Sequence, residues 1–100
     1  MSDAAEGGGQ PARWLARIHV TLKPVVLDPQ GDAVLSGLRH LGFVAVEGVR
    51  VGKYLEVTLS ASDVPAAEDA VRLMCERLLA NPVIERYHFT VERAPLPTGI

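Results

Sequence analysis

The sequence predicts an α+β fold of two layers, a four-stranded sheet with two helices on one face, in β-α-β-β-α-β order. Three observations predict it. Apolar and polar residues alternate with a period of two along residues 14–23, 54–59 and 86–92. Apolar residues recur at helical spacing in two stretches, Val34, Leu38, Leu41 and then Ala67, Val71, Met74, Leu78. Turn and stop residues separate these runs, namely Asp28-Pro29, Gly42, Gly52 and Asn81-Pro82.

In the first strand Trp14, Ala16, Ile18, Val20 and Leu22 point one way and Leu15, Arg17, His19, Thr21 and Lys23 the other. Asp28 before Pro29 starts the first helix: the carboxylate accepts from free N–H groups and proline fits the first helical position. Gly42 stops that helix. A second strand is expected through Val44, Val46, Val49 and Val51, with a bulge at Glu47-Gly48 where the parity changes. Gly52-Lys53 then fits a two-residue hairpin turn into a third strand, with Leu55, Val57 and Leu59 inward and Tyr54, Glu56 and Thr58 outward. The second helix starts near Ser62 or Asp63 and ends by Asn81, because a residue before proline avoids helical dihedrals. The last strand sets Tyr87, Phe89 and Val91 against Arg86, His88, Thr90 and Glu92.

A ferredoxin-like or related arrangement satisfies this order. The helices then cover one face of the sheet. The other face, carrying Arg17, His19, Tyr54, Glu56, Arg86 and His88 among others, is mixed in character, and a homodimer or homotetramer assembled through the sheet is expected.

With 100 residues and 10.7 kDa the chain is one domain, 48% hydrophobic and 22% charged, which places it among globular proteins. Residues 1–13, with Gly7-Gly8-Gly9, and residues 94–100, with two prolines, are expected to be flexible tails around a single domain over residues 14–93. A net charge of −2 argues against a sequence-independent nucleic-acid binder. No apolar run approaches a bilayer span and the N-terminus has no signal-like pattern, so a cytoplasmic protein with no membrane partner is expected.

Few residues carry chemistry. Cys75, the single cysteine, sits mid-helix beside Met74 with no adjacent histidine, and reads as a small buried apolar residue. His40 lies near a helix C-terminus, while His19 and His88 share a sheet face; with no carboxylate or cysteine at ligand spacing, no metal site is expected. Capping explains Asp28 and Pro29 but not Gln30 and Gly31, because glycine in a first turn weakens a helix; the functional reading is an anion or small ligand held at the free N–H groups of the helix N-terminus, with glycine permitting close backbone approach. Arg50-Val51-Gly52-Lys53 reads as a basic hairpin tip close to Lys23 at the end of the first strand: solvated turn charges on the plain reading, a contact for an acidic partner surface or a phosphate on the functional one. Neither a glycine-rich phosphate loop nor a Ser/His/Asp set is present, so no catalytic residue is assigned.

These same stretches resemble a known family, the PurS subunit of phosphoribosylformylglycinamidine synthase. The resemblance rests on Val20-Thr21-Leu22-Lys23, Leu27-Asp28-Pro29-Gln30-Gly31, Leu41-Gly42-Phe43, Val49-Arg50-Val51-Gly52-Lys53, Glu56 and Leu78-Leu79-Ala80-Asn81-Pro82-Val83-Ile84-Glu85-Arg86-Tyr87. The quoted residues run from Val20 to Tyr87, and the resemblance covers about residues 17–92. The resemblance implies a dimerising subunit without catalytic residues that bridges a glutaminase and an ATP-dependent synthetase. That complex makes formylglycinamidine ribonucleotide from formylglycinamide ribonucleotide in purine synthesis, and ammonia passes between its active sites. It implies ATP, magnesium and glutamine as needs of the complex, and no cofactor for this chain alone. Lys23, Asp28, Gln30, Gly31, Arg50, Gly52, Lys53, Asn81 and Glu85 become partner-binding or scaffold positions on this resemblance. Two other classes share the element order. An ACT-like regulatory domain would bind an amino acid at a dimer interface, but Gln30 separates Pro29 from Gly31 and Asn81-Pro82 has no counterpart there. An RNA-recognition module would stack bases on aromatics, of which only Tyr54 stands on the outward face of the third strand.

Overall fold

The alternating run near the N-terminus becomes the longest strand and the spine of the molecule. A computed structural model describes residues 11–95. In it β1 (Ala12–Leu22) pairs antiparallel with β2 (Gly52–Ala61) on one side and β3 (Glu85–Arg93) on the other, giving a three-stranded sheet of order β2-β1-β3. Position in the middle follows from side-chain character. Trp14, Ala16, Ile18 and Val20 are buried along one face of β1, whereas the inward residues of β2 and β3 are half-buried. Ile18 sits opposite Leu55 and Phe89, at the centre of the core. The Trp14 indole N–H donates to the Ala61 carbonyl at 3.0 Å, and Arg93 lies over its ring. Ala12 and Arg13, expected in the tail, open β1, and the Ala94 N–H donates to the Arg13 carbonyl. The remaining tail expectations, residues 1–10 and 96–100, lie outside the described residues.

The expected fourth strand does not form. Residues 43–51 stay outside the sheet, with backbone groups taken by side chains and by the end of the helix before them. The Arg39 guanidinium donates twice to the Val46 carbonyl, at 3.0 and 3.3 Å, and Asp28 takes the Val51 N–H at 2.8 Å. Four valines at mixed parity mark a segment that buries Val46, Val49 and Val51 partly against its surroundings, not a ladder. Gly52 and Lys53 correct a second expectation. They are not a hairpin turn but the first residues of β2, opposite Thr21 and Val20. A β-carbon on Gly52 would stand 2.5 Å from the Val20 carbonyl oxygen, so this register demands glycine.

The helices also divide differently from the expectation. The second, α2 (Val64–Met74), is capped by Asp63, which accepts the Ala66 N–H at 2.9 Å, and packs on the sheet through Ala67 and Val71. Its buried stripe continues to Cys75, not to Met74 and Leu78. A π-helical turn (Cys75–Leu79) follows, closed by the Ala80 N–H on the Cys75 carbonyl at 2.9 Å, and it rotates Leu78 outward to 82% exposure. The first, α1 (Pro29–His40), buries only Gly31 and does not lie on the sheet. Its stripe residues Val34 and Leu41 are exposed. Gly42, at φ 101°, ends it as expected: the Gly42 N–H donates to Arg39 and the Phe43 N–H to Leu38, both at 3.0 Å, the paired bonds of a Schellman motif. The described chain is accordingly flat and elongated, with a radius of gyration of 18.8 Å, against about 13 Å for a compact domain of 100 residues.

Candidate functional site

Four segments meet at the N-terminus of α1, and Asp28 ties two of them together. Its Oδ1 accepts the Gly31 N–H at 2.9 Å, capping α1, while Oδ2 accepts the Val51 N–H at 2.8 Å and so holds the strand-like segment before β2. These two bonds, Val51 first, together with the Arg50 guanidinium, lower the carboxyl below its ordinary value and keep it ionised. Gly31 is required by proximity: a β-carbon there would be 2.2 Å from the Val49 carbonyl oxygen. The close backbone approach at this glycine is thus to the chain's own Val49, a packing reason for glycine here.

Arg50 is bound inward. Its Nη1 donates to the Val26 carbonyl and Nη2 to the Lys23 carbonyl, both at 2.9 Å, and the Val26 N–H closes a turn onto Lys23. The Arg50–Lys53 stretch is thus not a basic tip: Arg50 organises the 23–26 loop and Lys53 extends from β2. The Lys23 N–H donates to Ile84 at 2.9 Å, which fastens that loop to the turn before β3. In that turn the Asn81 side chain accepts the Val83 N–H, its carbonyl accepts from Ile84 and Glu85, and Glu85 Oε1 accepts the Asn81 N–H at 2.6 Å. Asn81 and Glu85 therefore cap one another across the turn.

Between these segments opens a cavity of about 460 Å³ with apolar walls from Val20, Leu22, Val26 and Ile84. Asp28, Gln30, Gly52, Lys53 and Glu85 also line it; Lys23, Gly31, Arg50 and Asn81 build the surrounding frame. The structure thus brings all nine sequence-derived positions to one end of the molecule. The apolar walls were missed. Val26 and Ile84 stand in irregular segments, where periodicity gives no orientation.

The remaining candidates lie elsewhere. Cys75 is fully buried in the core, and burial, then the Glu76 charge, pushes its thiol up, away from thiolate chemistry. His19 and His88 stand side by side on the open sheet face with Tyr54 next in the row. His40 ends α1. Among the described residues no three or more His, Cys, Asp or Glu side chains gather as a metal cluster.

Comparison with known proteins agrees with this arrangement. The family model for PurS, phosphoribosylformylglycinamidine (FGAM) synthase, matches residues 15–93. The chain is 47% identical over 91 residues to phosphoribosylformylglycinamidine synthase subunit PurS of Synechocystis, covering 91% of each. It is 47% identical over 79 residues to the Bacillus subtilis subunit, covering 79% of this chain and 93% of that one. The crystal structure of B. subtilis PurS superposes with a TM-score of 0.73 at 45% identity, over 80% of this chain and 99% of that one. A chain in the structure of PurLQS from Thermotoga maritima gives 0.73 at 30% identity, over 80% and 98%. The three-stranded antiparallel sheet with two helices is shared with these structures, and the chain belongs to the PurS family of phosphoribosylformylglycinamidine synthase.

Proposed function

We propose that this chain is the small, non-catalytic subunit of a cytoplasmic phosphoribosylformylglycinamidine synthase. In this role it joins the glutaminase to the ATP-dependent synthetase and supports ammonia transfer for purine biosynthesis. Family membership supports the complex, as does the likeness to a chain of the T. maritima PurLQS assembly. ATP, magnesium and glutamine belong to the complex on this reading, and this chain itself holds none of them.

The observation that carries the scaffold role is the position of α1. The helix half-buries Leu35 and Leu38 but leaves Val34, Leu41, Phe43 and Val44 in solvent, and exposed apolar residues gathered on one element and its trailing loop mark an interaction site. At the other side of the Asp28 junction Leu27 is exposed at the cavity, and Val25 and Val83 are exposed in the segments that hold it. Two separate apolar surfaces suit a subunit that touches more than one neighbour, including a second copy of itself. The open sheet face offers less for this purpose, since Tyr54 is its one exposed large hydrophobic residue among those described. Ammonia is lost to protonation in bulk water, so a sealed junction between active sites has a direct use.

The test is glutamine-dependent amidine formation by the cognate synthetase and glutaminase with and without this chain. Restored turnover on adding the chain is expected, and Lys53→Glu should reduce the restoration. Equal turnover without the chain, from partners proven active, would overturn the reading.

A further inference from the structure

The row His88–His19–Tyr54 crosses the open face of the sheet and has no part in the junction or in the uncovered helix. His19 on β1 is directly opposite His88 on β3 in the antiparallel register. Their rings stack with centroids 4.7 Å apart and planes 16° from parallel. Tyr54, opposite His19 on β2, closes the other side at 4.8 Å. We propose that His19 and His88 form a two-histidine site that binds a divalent transition-metal ion, clipping β1 to β3.

The geometry is favourable because the backbone has already fixed the pair. Metal–imidazole bonds of about 2.0–2.1 Å put two ring nitrogens about 3–3.4 Å apart on one tetrahedral or square-planar ion. The rings are stacked with centroids 4.7 Å apart, and the two exposed side chains reach that spacing by tilting so that one nitrogen of each ring converges on the ion. Tyr54 against the outer side of His19 restricts the ring to the face it shares with His88. The charged neighbours on this face are largely occupied with one another: Arg17 pairs with Glu92, and Glu56 accepts the Tyr54 hydroxyl at 2.8 Å. Arg86, the residue two before His88 on the same face, is a further cation that the ion must tolerate. Imidazole donors select copper, nickel or zinc, not magnesium or calcium, which take oxygen ligands. Water completes the coordination, since two protein ligands leave the outer positions open.

The experiment titrates the full chain with copper, nickel, zinc and magnesium chlorides, following heat of binding and melting temperature. One copper, nickel or zinc ion per chain should bind, copper most tightly. Melting should rise, with the folding equilibrium shifting roughly 100-fold when free metal is about 100 times its Kd. Magnesium should do nothing. His19→Ala and His88→Ala should each abolish the bound ion, with circular dichroism confirming the sheet, while His40→Ala leaves it unchanged. The electron-paramagnetic spectrum of the copper-loaded wild type should show coupling to imidazole nitrogens. Binding that survives the double His19→Ala/His88→Ala variant, or that disappears in His40→Ala, overturns the proposal. So does a saturated wild type whose melting temperature does not move.

Discussion

Asp28 shows how one side chain sets a junction. A carboxylate has two oxygens to give, and here each takes a backbone N–H from a different segment, so asparagine, with one acceptor oxygen, satisfies only one of them. Because the folded carboxyl lies below its ordinary value of 3.8, its contribution is fully present above about pH 4 and is lost as the pH falls through the folded value. Asp28→Asn should therefore lower the melting temperature at pH 7, and the difference from wild type should shrink on acidification below pH 4. Melts across that range check the sign; a difference that stays constant with pH would remove the ionised carboxylate from the account. Gly31 makes a separate prediction. Gly31→Ala places a methyl group against the Val49 carbonyl and should cost about 1–3 kcal/mol by crowding. Gly37→Ala, in the same helix with open space around it, should raise α1 helicity, alanine being favoured by about 0.5–1 kcal/mol. Much of this site was legible as residue types in the sequence. The Asp28 cap follows from local chemistry, and a glycine in the first turn of a helix flags a close approach without naming its partner, the Val49 carbonyl. The inward turn of Arg50 does not, because its acceptors are carbonyls 24 and 27 residues away, which no spacing rule reaches.

Among the elements, the second helix tests whether the π turn resets the packing stripe. Continued α-helical spacing would put Leu78 on the core beside Val71, but the extra residue in the turn carries it into solvent. Val71→Ala should cost about 2–3 kcal/mol from lost burial and the cavity left behind, and Leu78→Ala should stay within about 0.5 kcal/mol. Equal losses in denaturant melts would restore the uninterrupted helix. The three strands were legible because each alternates against a core on one side only, so parity alone gives their faces. The fourth was misread for a reason the hydrogen bonds make plain. Valine spacing in residues 44–51 reports partial burial, but strand formation also needs free backbone groups and a sheet edge, and here Asp28 and Arg39 hold two of those groups. Similarly the 34–41 stripe correctly marks an amphipathic helix. Periodicity carries no information on whether the covering surface belongs to the same chain.

At the scale of the whole molecule, that last point becomes the main physical fact. The core gathers around Ala16, Ile18, Val20, Val71 and Cys75, with half-buried residues of β2 and β3 around it, and one helix with its trailing loop adds nothing to it. A small domain that forgoes the burial of its first helix gives up stability it can regain by association, since a partner that binds only the folded state adds its binding free energy to folding. Melting temperature should then rise with protein concentration. Phe43→Ser, at an exposed apolar position just beyond α1, should reduce that dependence while leaving the melting temperature of the dilute chain nearly unchanged. A core residue would behave in the opposite way, lowering stability at every concentration. The two outcomes separate in one series of melts: a Phe43→Ser variant that is destabilised equally when dilute and when concentrated would place the loop against this chain's own core, and the uncovered surface would no longer support the scaffold role.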